Sequence, residues 1–180
     1  MKKTVSGFTI VELLIVIVVI AILAAISVVA YNGIQNRANN TKTVNAVATY
    51  AKAMILYKID NGTHPQVTSC LGIGYSGGAC RSDNTTAWTE NGGNLNTVLL
   101  APYLKGASPT PALIPTAYNS SLTITGAFYD YANSAYNPSG GGLGVIMVGT
   151  TQCPSISGTT YSSGTASTDG NFLCRYRVND

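Results

Sequence analysis

Charge is scarce in this sequence: Asp, Glu, Lys and Arg together make up only 9% of its 180 residues. The charged coat of a typical cytosolic enzyme is missing, and the abundance of Gly, Ser, Thr and Asn is closer to that of exported surface proteins. Histidine is almost absent, with His64 the single copy. No set of residues supplies a nucleophile, a base and a stabiliser together, which argues against an exported enzyme. Basic charge is also thin and unclustered. Ten Lys and Arg against seven Asp and Glu give +3, and a polyanion-binding surface normally needs a basic patch. The length suits one domain of ordinary size with one modest core.

The four cysteines, Cys70, Cys80, Cys153 and Cys174, all lie beyond the N-terminal apolar segment, as they should if that part folds in an oxidising compartment. Three pairings are open. Joining Cys70 to Cys80 and Cys153 to Cys174 closes two short loops, each contributing roughly 3 kcal/mol in the chain-entropy picture. A zinc site is the competing reading, but neither pair has C-x-x-C spacing and only one histidine is present, so no metal site is expected.

Residues Phe8 to Ala30 form an apolar run of 23 with one charged side chain, Glu12, behind the short basic leader Met1 to Gly7. As a helix the run would be ~35 Å long against a hydrocarbon layer of ~30 Å, enough to span a bilayer with some tilt. Lys2 and Lys3 would hold the leader on the cytoplasmic side. The alternative is a secretory signal peptide cleaved after Ala30. Against it stand the length of the run and the carboxylate inside it. An acidic residue in a membrane helix costs ~2.5 to 3.5 kcal/mol near the middle and less near an end, so it usually has a partner. Removal of the leader after Gly7 would give Phe8 a free ammonium group one helical turn from Glu12. In an array of parallel, staggered helices, the Glu12 carboxylate of one subunit can then pair with the terminal ammonium of the next. An out-of-register subunit would leave both charges uncompensated in an apolar medium.

The stretch Gly7-Phe8-Thr9-Ile10-Val11-Glu12-Leu13-Leu14-Ile15-Val16 strongly resembles the processing and assembly motif of type IV prepilins and of the pseudopilins of type II secretion and competence systems. The resemblance implies cleavage after Gly7 by a membrane aspartic peptidase, the prepilin peptidase, N-methylation of Phe8 and an assembly role for Glu12. Loss of Lys2 and Lys3 from the ten cations leaves eight against seven acids, a mature balance of +1. Many family members carry a helix-bending proline where this chain has Val28 and Val29. The nearest breaker here is Gly33, which costs a helix about 1 kcal/mol relative to Ala and is a candidate point for a bend.

From Asn36 to Asp60 no proline or glycine occurs, and Val44, Val47, Ala51, Met54, Ile55 and Ile59 recur at helical spacing opposite a polar face. Residues 31–60 therefore read as an amphipathic continuation of the membrane helix, stopped by Asn61-Gly62 and Pro65. Residues 61–180 read as a globular head. Within it, 61–121 is a connecting loop, with a possible short helix over Leu95 to Lys105 interrupted by Pro102. Strands are expected at Leu122 to Thr125, Ala127 to Ala132, Leu143 to Val148, Thr159 to Ser162 and Asn171 to Val178, with Asp169-Gly170 as a tight turn. The fold class is α+β: a pilin-like long N-terminal helix, half transmembrane and half amphipathic, packed on a small C-terminal antiparallel sheet and held by disulfides. The Cys153 to Cys174 bridge would be similar to the disulfide-bounded C-terminal region of many pilins.

Other motifs point more weakly to chemistry. Gly72-Ile73-Gly74-Tyr75-Ser76-Gly77 matches G-x-G-x-x-G but lies in a loop, without the strand before and the helix after that a dinucleotide site needs. His64 is expected as an exposed loop residue. Asp169 and Asn171 are a thin calcium candidate, with a turn as the plainer account. Arg175 and Arg177 share a strand face with Leu173 and read as solvated residues, too few for nucleic acid. The tyrosines read as sheet packing, including the cluster from Tyr129 to Tyr136. Asn61-Gly62-Thr63 and Asn84-Thr85-Thr86 fit the glycosylation sequon.

The expectation is a filament subunit that waits in the cytoplasmic membrane as a single-pass precursor and moves into an extracellular or cell-surface polymer after cleavage. Its partners would be further copies of itself, minor pilins, the prepilin peptidase and the pilus assembly platform, with no cofactor. A pilin used for adhesion, twitching motility or DNA uptake and a pseudopilin share this assembly chemistry. A membrane-anchored binding module that never polymerises is the reading from another class.

Overall fold

The computed structural model describes residues 7–82, 87–106, 108–131 and 141–180. The chain divides into two compact units between Asn36 and Arg37. Helix α1, Ile10–Asn61, contributes to both. In the first unit its described side chains from Ile10 to Gln35 are exposed, and this part is long and apolar enough to cross a membrane with none of its apolar window buried in the chain. The helix continues through Gly33 without a break.

In the second unit α1 has a buried stripe. Thr43, Val47, Tyr50 and Met54 recur every three to four residues, joined by Ala46, Ala51 and Ala53, so one side of the helix can lie against a sheet. The helix ends where Gly62 adopts φ +78° and donates its N–H to the Lys58 carbonyl at 2.8 Å, a left-handed stop that glycine adopts without steric cost.

The strands are β1 Ser69–Cys70, β2 Ala79–Ser82, β3 Ala87–Thr89, β4 Pro115–Ala117, β5 Thr123–Thr125, β6 Ala127–Asp130, β7 Gly142–Met147, β8 Thr159–Ala166 and β9 Phe172–Val178. They form two antiparallel sheets, a larger one in the order β1-β6-β7-β9-β8 and a smaller one in the order β3-β2-β5-β4. Alternation along the larger sheet divides it between two cores. Tyr129, Leu143, Val145, Met147, Cys174, Tyr176 and Val178 pack with the helix stripe. Phe128, Ile146 and Leu173 point the other way, toward Cys70, Cys80 and Ile124 beneath the smaller sheet. The second unit is thus layered as helix, large sheet and small sheet.

Two disulfides fasten these layers. Cys70 is bonded to Cys80, and Cys153 to Cys174 on β9.

The late strands fall close to where the sequence puts them, although β8 runs on to Ala166 and the last residue expected for β6, Ala132, lies outside the described residues. The connecting segment departs from expectation. It is not simply a loop: β1 to β4 lie in it, and β2, β3 and β4 with β5 make up the whole smaller sheet. The short helix expected over Leu95 to Lys105 is two pieces, a π-turn Leu95–Leu99 and α2, Ala101–Leu104. Pro102 sits in the first turn of α2, where its missing N–H costs no hydrogen bond.

Candidate processing and assembly site

Gly7, Phe8 and Thr9 precede the helix and are exposed, with Phe8 83% accessible. A Cβ added at Gly7 would meet nothing within 4 Å, so the fold places no demand for glycine there. Thr9 is the N-cap of α1. Its hydroxyl accepts from the Glu12 N–H at 3.2 Å, and its own N–H and hydroxyl donate to Glu12 Oε2 at 2.8 and 2.7 Å. This is a reciprocal capping box, which satisfies the orphan N–H groups at a helix start. Both Thr9 bonds fall on one carboxylate oxygen, and among the described residues Oε1 receives none. The signal was present in the sequence as Thr9-x-x-Glu12 ahead of an apolar run, and the reading of Glu12 as an assembly residue alone missed it.

The remaining candidates resolve as structural features. In the glycine-rich loop, the Gly74 and Tyr75 N–H groups donate to the Glu90 carboxylate at 2.7 and 3.0 Å. A side chain of the protein itself thus occupies the position an anion would take. Gly72 lies so close to the Thr110 backbone that a Cβ would come within 2.9 Å of it.

His64 is not exposed. It retains 2% of its surface, with Gly141 so close to the ring that a Cβ added there would lie 3.4 Å from it. Burial pushes its pKa down, the Lys58 cation adds to the effect and Asp180 opposes it. Lys58 in turn forms an ion pair with Asp180.

Arg175 is also not a solvated residue. It is half-buried, with hydrogen bonds from its guanidinium to the Thr165 hydroxyl at 3.0 Å and the Tyr118 hydroxyl at 3.4 Å. Arg177 is exposed. Burial alone would raise the Asp169 carboxyl, but bonds from Ser167 and from the Ala117 and Asn171 N–H groups hold it below its ordinary value. Asp169 is therefore engaged in tying the β8–β9 turn to β4. No group of three or more metal-binding side chains occurs among the described residues. Tyr50, Tyr75, Tyr129 and Tyr176 are core residues. The Asn84 sequon and part of the Tyr129 to Tyr136 cluster lie outside the described residues, and Asn61 is exposed at the end of α1.

Residues 2–28 match the family described as the prokaryotic N-terminal methylation motif. The chain carries a prepilin N-terminus. Relatives of this prepilin-like chain include the type II secretion system core protein G of Aeromonas hydrophila, 36% identical over 64 residues, covering 36% of this chain and 45% of the relative. The type IV wide pilus major component PilA4 of Thermus thermophilus is 39% identical over 69 residues, covering 38% and 53%. The fimbrial protein EcpC of Eikenella corrodens is 32% identical over 101 residues, covering 56% and 58%. The chain thus spans about half the length of the curated relatives it matches. No solved structure matches it.

Proposed function

We propose that the chain is cut between Gly7 and Phe8 by a prepilin peptidase, methylated on the new Phe8 amine and polymerised through α1 into a type IV pilus. The capped helix start carries this reading. Glu12 lies one turn from the new terminus, with Oε2 held by Thr9 and Oε1 open to a neighbour's ammonium. Two supporting features lie alongside it: Gly7 with no packing reason to be glycine, and an apolar helix surface with no cover inside the chain. The membrane solvates that surface before assembly, and neighbouring helices replace the lipid afterwards. The charge pair sets the stagger, because a displaced subunit would strand both charges. Further copies of the chain, minor pilins and the assembly platform are the partners this scheme requires. The product is a filament for adhesion, twitching motility or DNA uptake, outside the cell or on its surface.

The similarity to protein G of type II secretion systems favours a second reading, a pseudopilin. Both share the maturation step. Intact mass and N-terminal sequencing of chain recovered from native membranes or sheared surface material should give a start at methylated Phe8; a start at Met1 would overturn maturation. Long surface fibres built mainly of this chain would then select pilin over pseudopilin.

A further inference from the structure

The fold treats its acids and its cations differently. Every carboxylate side chain among the described residues accepts from a donor of the chain itself, from Glu12 with Thr9 to Asp180 with Lys58. Arg37, Lys42 and Lys52 on α1 have no such partner. All three are exposed, and among the described residues none of them forms an ion pair or a side-chain hydrogen bond. No acid occurs between Glu12 and Asp60 to neutralise them along the helix. Arg37 opens the second unit, and the chain reaches it directly from the segment long and apolar enough to cross a membrane. On the one continuous helix it follows Ala30 by about two turns, ~10 Å of rise, and an arginine side chain reaches back over much of that distance. The polar zone on each face of a bilayer is ~5–8 Å deep. Lys42 stands ~8 Å further along α1, within about one Debye length of Arg37 at physiological salt, and Lys52 lies ~15 Å beyond Lys42, outside that range.

We infer that Arg37 and Lys42 form a collar that binds the anionic headgroups of phospholipids at the outer end of the membrane segment, an inference that rests on the membrane-inserted precursor proposed above. Under the proposed cleavage Lys2 and Lys3 leave with the leader, so the mature apolar run is followed by Lys and Arg at its outer end and preceded by none. This reverses the usual excess of cations on the cytoplasmic side, and anionic lipid supplies what holds them there. A phosphodiester with no ammonium of its own gives each cation the countercharge that the chain withholds. A zwitterionic headgroup already carries a cation. A second copy of the chain is a poorer source, because its carboxylates are held by their own donors.

Ala38 is exposed beside Arg37, so Ala38→Cys gives a place for a donor fluorophore at the collar. The full chain is reconstituted in phosphatidylcholine vesicles that hold a trace of acceptor-labelled phosphatidylglycerol or, in parallel, of acceptor-labelled phosphatidylcholine. Energy transfer then measures which lipid stays near the helix. The expected result is an enrichment of phosphatidylglycerol of about tenfold, falling as salt rises. Arg37→Gln and Lys42→Gln should each remove a factor of about three, and the double variant should bring the ratio to about one. Arg37→Lys should keep the enrichment, and Lys52→Gln should leave it unchanged. Resistance to alkaline carbonate extraction is measured on the same vesicles. A chain stripped by carbonate would overturn the membrane-inserted precursor and the collar with it, whereas an inserted chain with equal transfer to both lipids would overturn the collar alone. So would neutralised variants that match the wild type, or a loss in Lys52→Gln as large as in Arg37→Gln. Displacement by inorganic phosphate beyond the effect of chloride at the same ionic strength would assign the cations to a free anion instead.

Discussion

The backbone N–H and the hydroxyl of Thr9 converge on a single oxygen of Glu12, at 2.8 and 2.7 Å. The residue with the clearest claim to an intermolecular role therefore also has an intramolecular one, and the two can be separated by substitution. Glutamine preserves the capping box but not the charge. Glu12→Gln should keep the first turn of α1 protected from amide exchange while abolishing filaments. Thr9→Ala should fray that turn, at about 1 kcal/mol, and still assemble. Electron microscopy of sheared material together with exchange rates at residues 10–13 checks both, and normal filaments from Glu12→Gln would remove the charge from the assembly scheme.

The helix stripe makes a quantitative prediction for the second unit. Met54 is fully buried in the main core, so Met54→Ala should cost about 2–5 kcal/mol through lost contacts and a residual cavity. Leu56, two residues on and at the surface, should change stability by less than about 0.5 kcal/mol when truncated. Denaturant midpoints of the two variants give the comparison.

Cys153 and Cys174 close a loop with a sequence separation of 21. The double serine variant should lose about 3 kcal/mol, in addition to the cost of placing a hydroxyl at the fully buried position of Cys174. Reduction of the wild-type chain with a thiol should reproduce most of the loss. An unchanged melting temperature in the double variant would mean that packing alone holds β9.

His64 predicts how stability responds to acid. Its folded pKa lies below the ordinary value of 6.5, so the unfolded chain takes up the proton more readily. This contribution is fully present above 6.5 and is lost as the pH falls from there toward the depressed folded value. Asp180, held low by its bond to Lys58, loses its contribution at a lower pH, from its ordinary 3.8 downward. Melting temperatures between pH 7 and 5 should fall for the wild type and stay nearly level for His64→Leu. Parallel curves for the two would assign the acid sensitivity elsewhere.

The parts legible in the sequence are those with long, repeated patterns. The apolar run, its single carboxylate and the stripe through Val47, Ala51 and Met54 specify α1 and its end within a residue, because helix period and a glycine stop act locally. β7 was visible as a short apolar run and β9 as a run of aromatic and β-branched residues after a turn. The smaller sheet was not. Its strands are three or four residues long with few buried positions, and their pairing is fixed by contacts such as Arg81 against Trp88 that no local period encodes. His64 was misplaced for the same reason, since what buries it is Gly141, far away in the chain. The capping role of Glu12 is legible too, because a Thr three residues before a Glu at the start of an apolar run is a local pattern.

The side chain of Asn40 donates to the Val148 carbonyl at 2.9 Å and accepts from the Val148 N–H at 2.8 Å. A carboxamide has the shape of a peptide group, so Asn40 meets the residue after β7 as a neighbouring strand would, with one rung of a ladder borrowed from a helix. A few residues further on, Thr43 accepts the Ala112 N–H at 3.1 Å, which adds a second fixed point. A pull along the axis of α1 would load these bonds together in shear. Sliding the helix by even one residue's rise would break both Asn40 bonds at once, so under tension this segment resists as a latch rather than as a greased contact.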